Sequence, residues 1–446
     1  MPNSPNLRFN PKCSWTGILV IFFEKLLIVI KMLHISFQSF LKRFLYQLSS
    51  KILMKAIIKS GFKVSFNKVK VTPSKPVYLA GLKHNRLSKG VHDDLYARCM
   101  LLSFNDALFA LVGVDSIGLV YKDTSEIKEK LSRKGVYAII SSTHDHSSPD
   151  TIGLWGPNPE VSGVDLEYLE FLKESIIECV EKALEKLVPA KLAITSTRIP
   201  EGVAVNSRDP GLIDKEITVI TAETYSGEKL GILVNFGLHP EVLWNDNLLL
   251  TADYPFYMLS TLEREYGGVG VFLNGALGGM ITPDIKEHSF KEAERIGVTI
   301  AEEILNAVKS PPTLYTTASL TVISKEVSLP VLNKKFVELA EKGVIRKISD
   351  ENTRTRSIVS YFKISPLLEG VSMPGEPLPK VGLKIKSLLH KPFKMLIGLG
   401  DDEIGYVIDP EDWTEGKYEE SMSLGPDTAT ILTREIMYLI EISRNI

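Results

Sequence analysis

The sequence is poor in cysteine: Cys13, Cys99 and Cys179 are spread over 446 residues. Three widely spaced cysteines provide neither a disulfide framework nor a cysteine-based zinc site. A reducing environment is therefore the simpler expectation, either cytoplasmic or at the periphery of a membrane. A low cysteine count is also compatible with secretion, so that alternative stays open.

A long uncharged apolar run is also lacking. The most apolar stretch, residues 16–45, is interrupted by Glu24, Lys25 and Lys31, so it falls short of the ~20 apolar residues that a membrane span needs. Residues 1–75 contain thirteen Lys and Arg against one acidic residue, a net charge of +12, whereas residues 76–446 sum to −14. This contrast predicts a basic, apolar N-terminal segment before an acidic body.

The polar residues of the N-terminal segment recur at helical spacing between Glu24 and Lys42. This pattern is typical of a helix that lies in the membrane interface. Further lysines would attract anionic head groups, so residues 16–60 are predicted to contact a membrane surface. Two alternatives stay open: an atypical signal sequence, or a leader, residues 1–53, translated from too early a start codon before Met54.

Apolar runs of strand length alternate with helical patterns in residues 76–446. Expected strands lie at 99–103, 109–115, 136–140, 192–195, 217–221, 230–236 and 269–274, and expected helices at 124–133, 165–187, 251–266 and 290–309. Strands that are apolar on both faces are typical of a sheet that is covered on both sides. The fold class predicted is α/β, with a large mixed β-sheet core and flanking helices.

Three histidines follow two of the expected strands. His144 and His146 come after residues 136–140, and His239 comes after residues 230–236. Residues i and i+2 of a strand face the same way, and neutral imidazole is the commonest protein ligand of zinc. Ligands of α/β sheets bind beyond strand ends. The pattern predicts a metal site; the alternative is that these histidines only hydrogen-bond at strand ends.

A glycine-rich turn, residues 275–284, follows the strand at 269–274. Its glycines would let the backbone approach a substrate and present N–H groups to it. The turn has neither the Gly-Lys-Ser/Thr ending of a P-loop nor the spacing of a dinucleotide fingerprint. We therefore expect no nucleotide site and no nucleic-acid partner.

Seven short segments resemble motifs of one family and occur in that family's order. They are GVHDDLYAR (90–98), THDHSSP (143–149), NSRDP (206–210), FGLHP (236–240), MPGEP (373–377), GYVIDPEDW (405–413), and YEES with LGP (418–426). The family is that of the neutral/alkaline ceramidases, zinc-dependent amidases that cleave the N-acyl bond of ceramide to sphingosine and a fatty acid. No single segment is decisive, but seven in register are.

The resemblance implies a zinc site and a substrate. The implied Zn²⁺ ligands are His144, His239, Glu376 and Tyr406. His146 and Arg208 would handle the substrate carbonyl and the transition state. The implied partner is a lipid-like N-acyl amide; the oligomeric state stays open.

Thr282 departs from the family pattern, which has a catalytic serine at this position. Threonine keeps the hydroxyl but is stiffer, so it suits a zinc–water mechanism better than a nucleophile. Ser148 and Asp150 replace glycines after the histidine pair. Two alternatives to ceramide hydrolysis follow: a metallohydrolase for another amide or ester, and a non-catalytic, membrane-associated ceramidase-like protein.

The implied ligands Glu376 and Tyr406 lie beyond a proline-rich linker at 310–313. We therefore expect one catalytic unit, residues 76–446, with a C-terminal lobe from about residue 313 that folds back over the first part. The chain stops about twenty residues after the last motif. The C-terminal β-sandwich domain of full-length ceramidases is thus expected to be absent.

Overall fold

The computed structural model describes residues 51–57, 61–105, 107–309, 313–346 and 353–444, with only the backbone for 51–57. The helix predicted within residues 16–45 lies outside these ranges. Among the helices inside them, none combines the length and apolarity that crossing a bilayer requires. Residues Ile52–Ile446 form one compact unit.

The described chain contains strands and helices throughout its length. The strands are β1 (Lys51–Ile57), β2 (Lys63–Lys70), β3 (Gly90–Val91), β4 (Tyr96–Phe104), β5 (Ala107–Val114), β6 (Val136–Ser142), β7 (Val188–Arg198), β8 (Ala204–Asn206), β9 (Glu216–Thr224), β10 (Lys229–Phe236), β11 (Leu249–Leu250), β12 (Val269–Asn274), β13 (Ile281–Pro283), β14 (Ser319–Pro330), β15 (Arg354–Ser365), β16 (Leu368–Ser372), β17 (Glu376–Pro377), β18 (Phe393–Ile397) and β19 (Tyr406–Val407). The helices are α1 (Tyr121–Ser132), α2 (Leu166–Glu185), α3 (Tyr254–Glu265), α4 (Phe290–Lys309), α5 (Lys334–Glu341), α6 (Pro379–Ser387), α7 (Tyr418–Ser421) and α8 (Thr428–Arg444).

Two sheets form the core. The larger has eight strands in the order β12-β10-β9-β7-β2-β4-β5-β6, and the smaller has five in the order β1-β14-β15-β16-β18. The larger sheet is mixed: β12 pairs parallel with β10 and β5 parallel with β6, and its other neighbours are antiparallel. The predicted α/β class with a large mixed sheet is confirmed.

The larger sheet is covered on both faces, as predicted, but by a different kind of layer on each. Side chains from one face of the larger sheet, such as Phe66, Met100 and Leu111, share a buried core with Leu320 and Phe362 of the smaller sheet. Helices therefore cover only the other face of the larger sheet. Apolar residues on both faces of a strand show that both faces are buried, but they do not distinguish a covering helix from a covering sheet.

Helices complete the outer layers on both sides. Helices α1 and α2 pack on one half of the outer face of the larger sheet, and α3 and α4 on the other half. Helices α5, α6 and α8 cover the outer face of the smaller sheet. Helix α2 begins where the sequence predicts, because the Asp165 side chain accepts a hydrogen bond from the backbone N–H of Tyr168.

Residues 63–70 need a correction. Their composition predicts that they belong to the basic N-terminal segment, yet they form β2 near the centre of the larger sheet, between β7 and β4. Val64 and Phe66 of this strand are buried in the core. Its lysines gave it the composition of the preceding segment, although its apolar residues alternate as in a strand. Residues 51–57 likewise form a strand, within the range predicted to contact a membrane surface.

The two edge strands of the larger sheet meet at their carboxyl ends. The Asn274 side chain, at the end of β12, donates hydrogen bonds to the carbonyl oxygens of Thr143 after β6 (2.8 Å) and Leu238 after β10 (3.1 Å). Its Oδ1 accepts from the N–H groups of Leu238 (3.1 Å) and Gly275 (3.0 Å). The fully buried Asn274 thereby holds the two histidine-bearing segments together.

Candidate metal centre

His144 lies two residues beyond the end of β6, in a backbone conformation that non-glycine residues seldom adopt (φ 65°). Its N–H donates to the carbonyl of Ser116 at 3.0 Å, and its ring Nδ1 lies 2.6 Å from the carbonyl oxygen of Ile117. A carbonyl can only accept, so Nδ1 carries the proton. The lone pair of Nε2 therefore points away from this carbonyl, into the site.

His239 is held in the same way after β10. Its backbone N–H and its ring Nδ1 both donate to the carbonyl oxygen of Ile281, each at 2.9 Å. The side chain is completely buried. A backbone carbonyl that fixes the Nδ1–H tautomer is the usual outer-shell partner of a metal-binding histidine.

Glu376 joins the two histidines from β17. Its Oε2 lies 3.1 Å from His239 Nε2 and 3.4 Å from His144 Nε2. Burial favours the neutral carboxyl, but the two imidazoles, and hydrogen bonds from His239 and Tyr406, outweigh burial and lower the pKa of Glu376. Glu376 is therefore a carboxylate, with one oxygen between two histidine nitrogens.

Tyr406 lies beside Glu376 because β17 and β19 pair in parallel with these two residues in register. Its phenol hydrogen-bonds to Glu376 and lies 3.6 Å from the sulfur of Met280. Burial, together with the charge of Glu376, raises the pKa of Tyr406 well above its usual value. The structure thus brings together all four residues that the resemblance implies as ligands; their role as ligands stays a prediction.

His146 approaches the same point from the other side. Its ring centre is 5.0 Å from that of His144 and 5.6 Å from that of His239. Its Nδ1 lies 3.3 Å from Oε2 of Glu241, yet neither ring nitrogen makes a well-formed hydrogen bond within the described residues. Burial, reinforced by His144, His239 and Arg86, lowers the pKa of His146 well below its usual value, so the ring is neutral.

The side chains present fit a metal ion. Two groups have ligand atoms within 4.8 Å of one another: His144, His146 and His239, and His144, Glu376 and Glu403. Burial lowers the pKa of His144 to about 4, so it offers a free lone pair at neutral pH. Burial also disfavours the charged form of His239, but Glu241 and Glu376 outweigh this and raise its pKa to about 9. The pocket favours a positive charge beside Glu376, which a divalent cation would provide.

Two carboxylates of this centre were not identified from the sequence. Glu241 is almost completely buried, and burial raises its pKa. Burial and the charge of Glu376 likewise raise the pKa of Glu403 well above its usual value. Glu241 stands two residues after His239, so its position was a usable signal, whereas Glu403 reaches the site only through tertiary packing.

Arg208 forms ion pairs with two acidic residues. Its Nη1 lies 2.9 Å from Glu419 and 3.0 Å from Glu420, and its Nη2 lies 2.6 Å from Glu420 and 2.9 Å from the carbonyl oxygen of Asp412. Contact with a substrate carbonyl would require some of these bonds to break. The role of Arg208 in handling the carbonyl stays a prediction; in the structure it ties its loop to α7.

The glycine-rich turn packs closely against protein backbone. A Cβ on Gly278 would lie 2.4 Å from the carbonyl oxygen of Glu376, and the Gly278 N–H donates to Pro377 at 3.0 Å. Small residues are therefore needed here to place Glu376 against the histidines. Thr282, on β13, interacts with Glu241 through its hydroxyl.

A cavity of about 720 Å³ opens from the histidine cluster. His144, His146, Glu376 and Tyr406 line it together with apolar side chains, among them Ile117, Ile152, Leu154, Trp155, Phe336 and Ile345. Lys122, Arg346, Arg354 and Arg356 also belong to its lining. The cavity joins the histidine–carboxylate cluster to an apolar space with basic residues, and its volume suits a small-molecule ligand.

Comparison with known proteins points to one family. No family model matches the chain. Neutral ceramidase from Drosophila melanogaster is 21% identical over 268 residues, 51% of this chain and 37% of that protein. The match thus spans little more than a third of that relative.

Solved structures extend the likeness to the fold. The neutral ceramidase from Pseudomonas aeruginosa superposes with a TM-score of 0.72 at 17% identity, covering 87% of this chain and 75% of that one. A ceramidase complexed with C2 superposes with a TM-score of 0.73 at 16% identity, over 87% and 76% of the two chains. The resemblance predicted from the seven motifs is confirmed, and the fold is that of the neutral ceramidases.

Proposed function

From the neutral-ceramidase-like fold and sequence of this chain, we propose that it is a zinc-dependent hydrolase that cleaves the N-acyl amide bond of a ceramide-like lipid. One observation carries the proposal. His144 and His239 each donate Nδ1–H to a backbone carbonyl and direct Nε2 to within 3.4 Å of one oxygen of Glu376. Histidines held only for structure need no such convergence.

The proposed ligands are His144, His239 and Glu376, with Tyr406 as the fourth. Two imidazoles and a carboxylate form a common catalytic zinc set. Bound there, zinc would polarise the scissile carbonyl and activate water near neutral pH. The outer-shell carbonyls of Ile117 and Ile281 hold the imidazoles at fixed angles, so little reorganisation is needed on binding.

His146 is placed to handle protons. Its ring lines the cavity, and a neutral imidazole has one nitrogen without a proton, which can accept a proton from water and return it to the leaving amine. The Thr282 hydroxyl adds a donor close to Glu241. The apolar walls exclude bulk water around these groups and strengthen their polar interactions.

The cavity supports a lipid-like substrate. A buried apolar wall beside the histidines would hold an acyl or alkyl chain, whose burial contributes about 0.8 kcal/mol per CH₂ group. A second candidate, a metallohydrolase for an amide or ester with an acidic group, is favoured by Arg346, Arg354 and Arg356 in the cavity lining. A site that has lost catalysis altogether remains the third alternative.

Zinc content separates these possibilities first. We expect about one zinc per purified chain by elemental analysis, lost in His144→Ala, His239→Ala and Glu376→Ala but kept in His146→Ala. Fluorescent N-acyl sphingosine, an N-acyl amino acid and a simple ester then form the substrate panel. If the protein binds zinc but cleaves only the N-acyl amino acid or the ester, the second candidate function would replace the ceramide proposal. A wild-type chain without zinc would refute the proposed zinc hydrolase.

A lipid substrate also suggests where the chain acts. We propose a peripheral membrane location through residues 16–60, tested by flotation with anionic and neutral liposomes. The full chain should float with anionic liposomes, whereas a chain that starts at Met54 should not. Equal flotation of the two chains would refute a role for the N-terminal segment.

A further inference from the structure

We infer that Glu241 is a positioning residue of the proposed hydrolase: its carboxylate orients the imidazole of His146 and the hydroxyl of Thr282 toward the reacting bond. The inference rests on the proposed function for its catalytic meaning. It rests on the structure alone for the arrangement of the three side chains.

Glu241 is a buried carboxylate with unused hydrogen-bonding capacity. Neither of its oxygens makes a well-formed hydrogen bond within the described residues, although its Oε2 lies 3.3 Å from His146 Nδ1 and the Thr282 hydroxyl interacts with the carboxylate. A buried polar group without a partner is costly. Retaining one beside an equally unpartnered imidazole nitrogen indicates a function for the pair.

The backbone around His146 leaves few degrees of freedom. Its N–H donates to the carbonyl of Pro240 at 3.1 Å, and its carbonyl accepts from the fully buried Arg86 at 3.0 Å. Gly81 lies against the ring, because a Cβ there would be 2.4 Å from the ring Cγ. The ring is fixed in position, so what remains to be set is its orientation and which nitrogen carries the proton.

Glu241 is placed to set both. A carboxylate beside Nδ1 favours the tautomer with the proton on Nδ1, which leaves Nε2 as the accepting nitrogen. The present 3.3 Å separation is long for a hydrogen bond, as is common in sites without substrate, and a small ring rotation would close it. A carboxylate that orients an imidazole in this way is a recurring part of hydrolytic sites.

His146 differs here from the two histidines proposed to bind zinc. His144 and His239 direct Nδ1 to neutral backbone carbonyls, whereas His146 directs Nδ1 to a carboxylate. A carboxylate stabilises the positive charge that the ring gains when it accepts a proton, which a carbonyl does less well. The difference assigns proton transfer to His146 and ligation to the other two.

Thr282 gives Glu241 a second task. A single carboxylate can accept hydrogen bonds from an imidazole and a hydroxyl at once. By accepting from Thr282, Glu241 would restrict a hydroxyl that β-branching already limits to few rotamers. The hydroxyl hydrogen would then point to Glu241 and its lone pairs away from Glu241, so Glu241 would fix the orientation of the Thr282 hydroxyl.

The test uses Glu241→Leu and Glu241→Gln in the zinc-loaded full chain, with Glu369→Gln as the matched control. Glu369 is also buried, but it accepts from Tyr361 and from the backbone of His390. We expect Glu241→Leu to lower kcat on fluorescent N-acyl sphingosine about 100-fold, with KM within about threefold and zinc content unchanged. Glu241→Gln should recover part of the loss, and Glu369→Gln should keep wild-type kcat.

The tautomer of His146 is measured separately, so that failure of the proposed function is distinguishable. Two-dimensional ¹H–¹⁵N spectra of histidine-labelled protein, assigned by the signal missing in His146→Gln, should show the proton on Nδ1 in the wild type and a shift toward Nε2 in Glu241→Leu. If the wild type cleaves no amide, this measurement still decides the orientation.

Several results would overturn the inference. An unchanged His146 tautomer in Glu241→Leu would refute the orienting role, as would a kcat within threefold of the wild type. Loss of zinc together with activity would make Glu241 a metal ligand instead. Thr282→Val should lower kcat less in Glu241→Leu than in the wild type; fully independent effects would separate Thr282 from Glu241.

Discussion

Replacing Asn274 by alanine should both destabilise the protein and weaken metal binding. This residue is completely buried at the end of β12. Its amide bridges the segments that carry His144 and His239. Alanine removes this bridge without adding bulk.

The size of the effect follows from the groups that alanine would leave without partners. Gly275 N–H still donates to Phe236 at 2.9 Å, and the carbonyl of Leu238 still accepts from Tyr254 at 2.9 Å. Two groups lose their only hydrogen bond within the described residues, the N–H of Leu238 and the carbonyl of Thr143. Each buried unpaired group costs about 1–3 kcal/mol, so the free energy of unfolding should fall by about 2–6 kcal/mol.

Metal affinity should fall for a separate reason. The lost hydrogen bonds do not involve the ligand atoms, but they tie together the two segments that carry the imidazoles. Loss of such outer-shell support weakens metal binding about 10–100-fold. Urea unfolding monitored by circular dichroism measures the change in the free energy of unfolding. Competition with a fluorescent chelator measures the zinc affinity of the folded protein.

Asn67→Ala is the matched control. Asn67 is a similarly buried amide, whose hydrogen bonds run to Cys179 and Lys186, under α2. It should lower stability by a similar amount and leave zinc affinity at the wild-type value. If Asn274→Ala weakened zinc binding no more than Asn67→Ala, the idea that this bridge sets the geometry of the site would be refuted.

Three further predictions follow from the site and its surroundings. Gly81→Ala should lower the free energy of unfolding by about 1–3 kcal/mol and reduce kcat while zinc stays bound. The reason is that φ at Gly81 is 87° and a Cβ there would strike the His146 ring. An unchanged kcat in a folded variant would contradict this contact with the ring. Tyr406→Phe should weaken zinc binding about tenfold or more in the chelator assay, since the phenol is a proposed ligand and a hydrogen-bond donor to Glu376. A zinc affinity equal to that of the wild type would show that Tyr406 is not a ligand. Burial raises the pKa of Asp253 to about 7, against about 3.9 in the unfolded chain. Between these two values the folded state keeps a proton that the unfolded state releases. The stability of the wild type relative to Asp253→Asn should therefore fall as the pH rises from about 4 to about 7, on the order of 1 kcal/mol per pH unit. A pH-independent difference between the two urea-unfolding curves would show that Asp253 is already charged in the folded state.

Strands and helices were predicted most accurately where the apolar residues follow one period, that of a strand or that of a helix. The strands at 136–140 and 269–274 and the helix at 165–187 appear within about two residues of their expected limits. Strands β15 and β16 and helix α8 were not predicted, although they form part of the smaller sheet and of its outer cover. The apolar pattern of residues 354–365 and 368–372 fits either a strand or a helix face. Only the pairing of β15 with β14 and of β16 with β15 and β18 resolves that ambiguity.

Most residues of the candidate site could be predicted from the sequence, but its geometry could not. His144 and His146 were expected to face one side because they alternate along a strand, yet the strand ends at Ser142 and the positive φ of His144 sets the direction of its ring. Local sequence does not show such a conformation, since it persists only when surrounding contacts enforce it. The hydrogen bonds to Ser116 and Ile117 are those contacts.

The glycine-rich turn shows what residue type alone leaves undetermined. Its glycines were attributed to a close approach of substrate, which sequence cannot separate from a close approach of protein. In the structure, Gly278 admits the backbone of Glu376, and that segment pairs in register with Tyr406. Two residues separated by thirty positions thus reach the histidines because a distant turn leaves room for one of them. A substitution at Gly278 should therefore act through Glu376, on zinc affinity before substrate affinity, which is the reverse of what a substrate-contacting glycine would do.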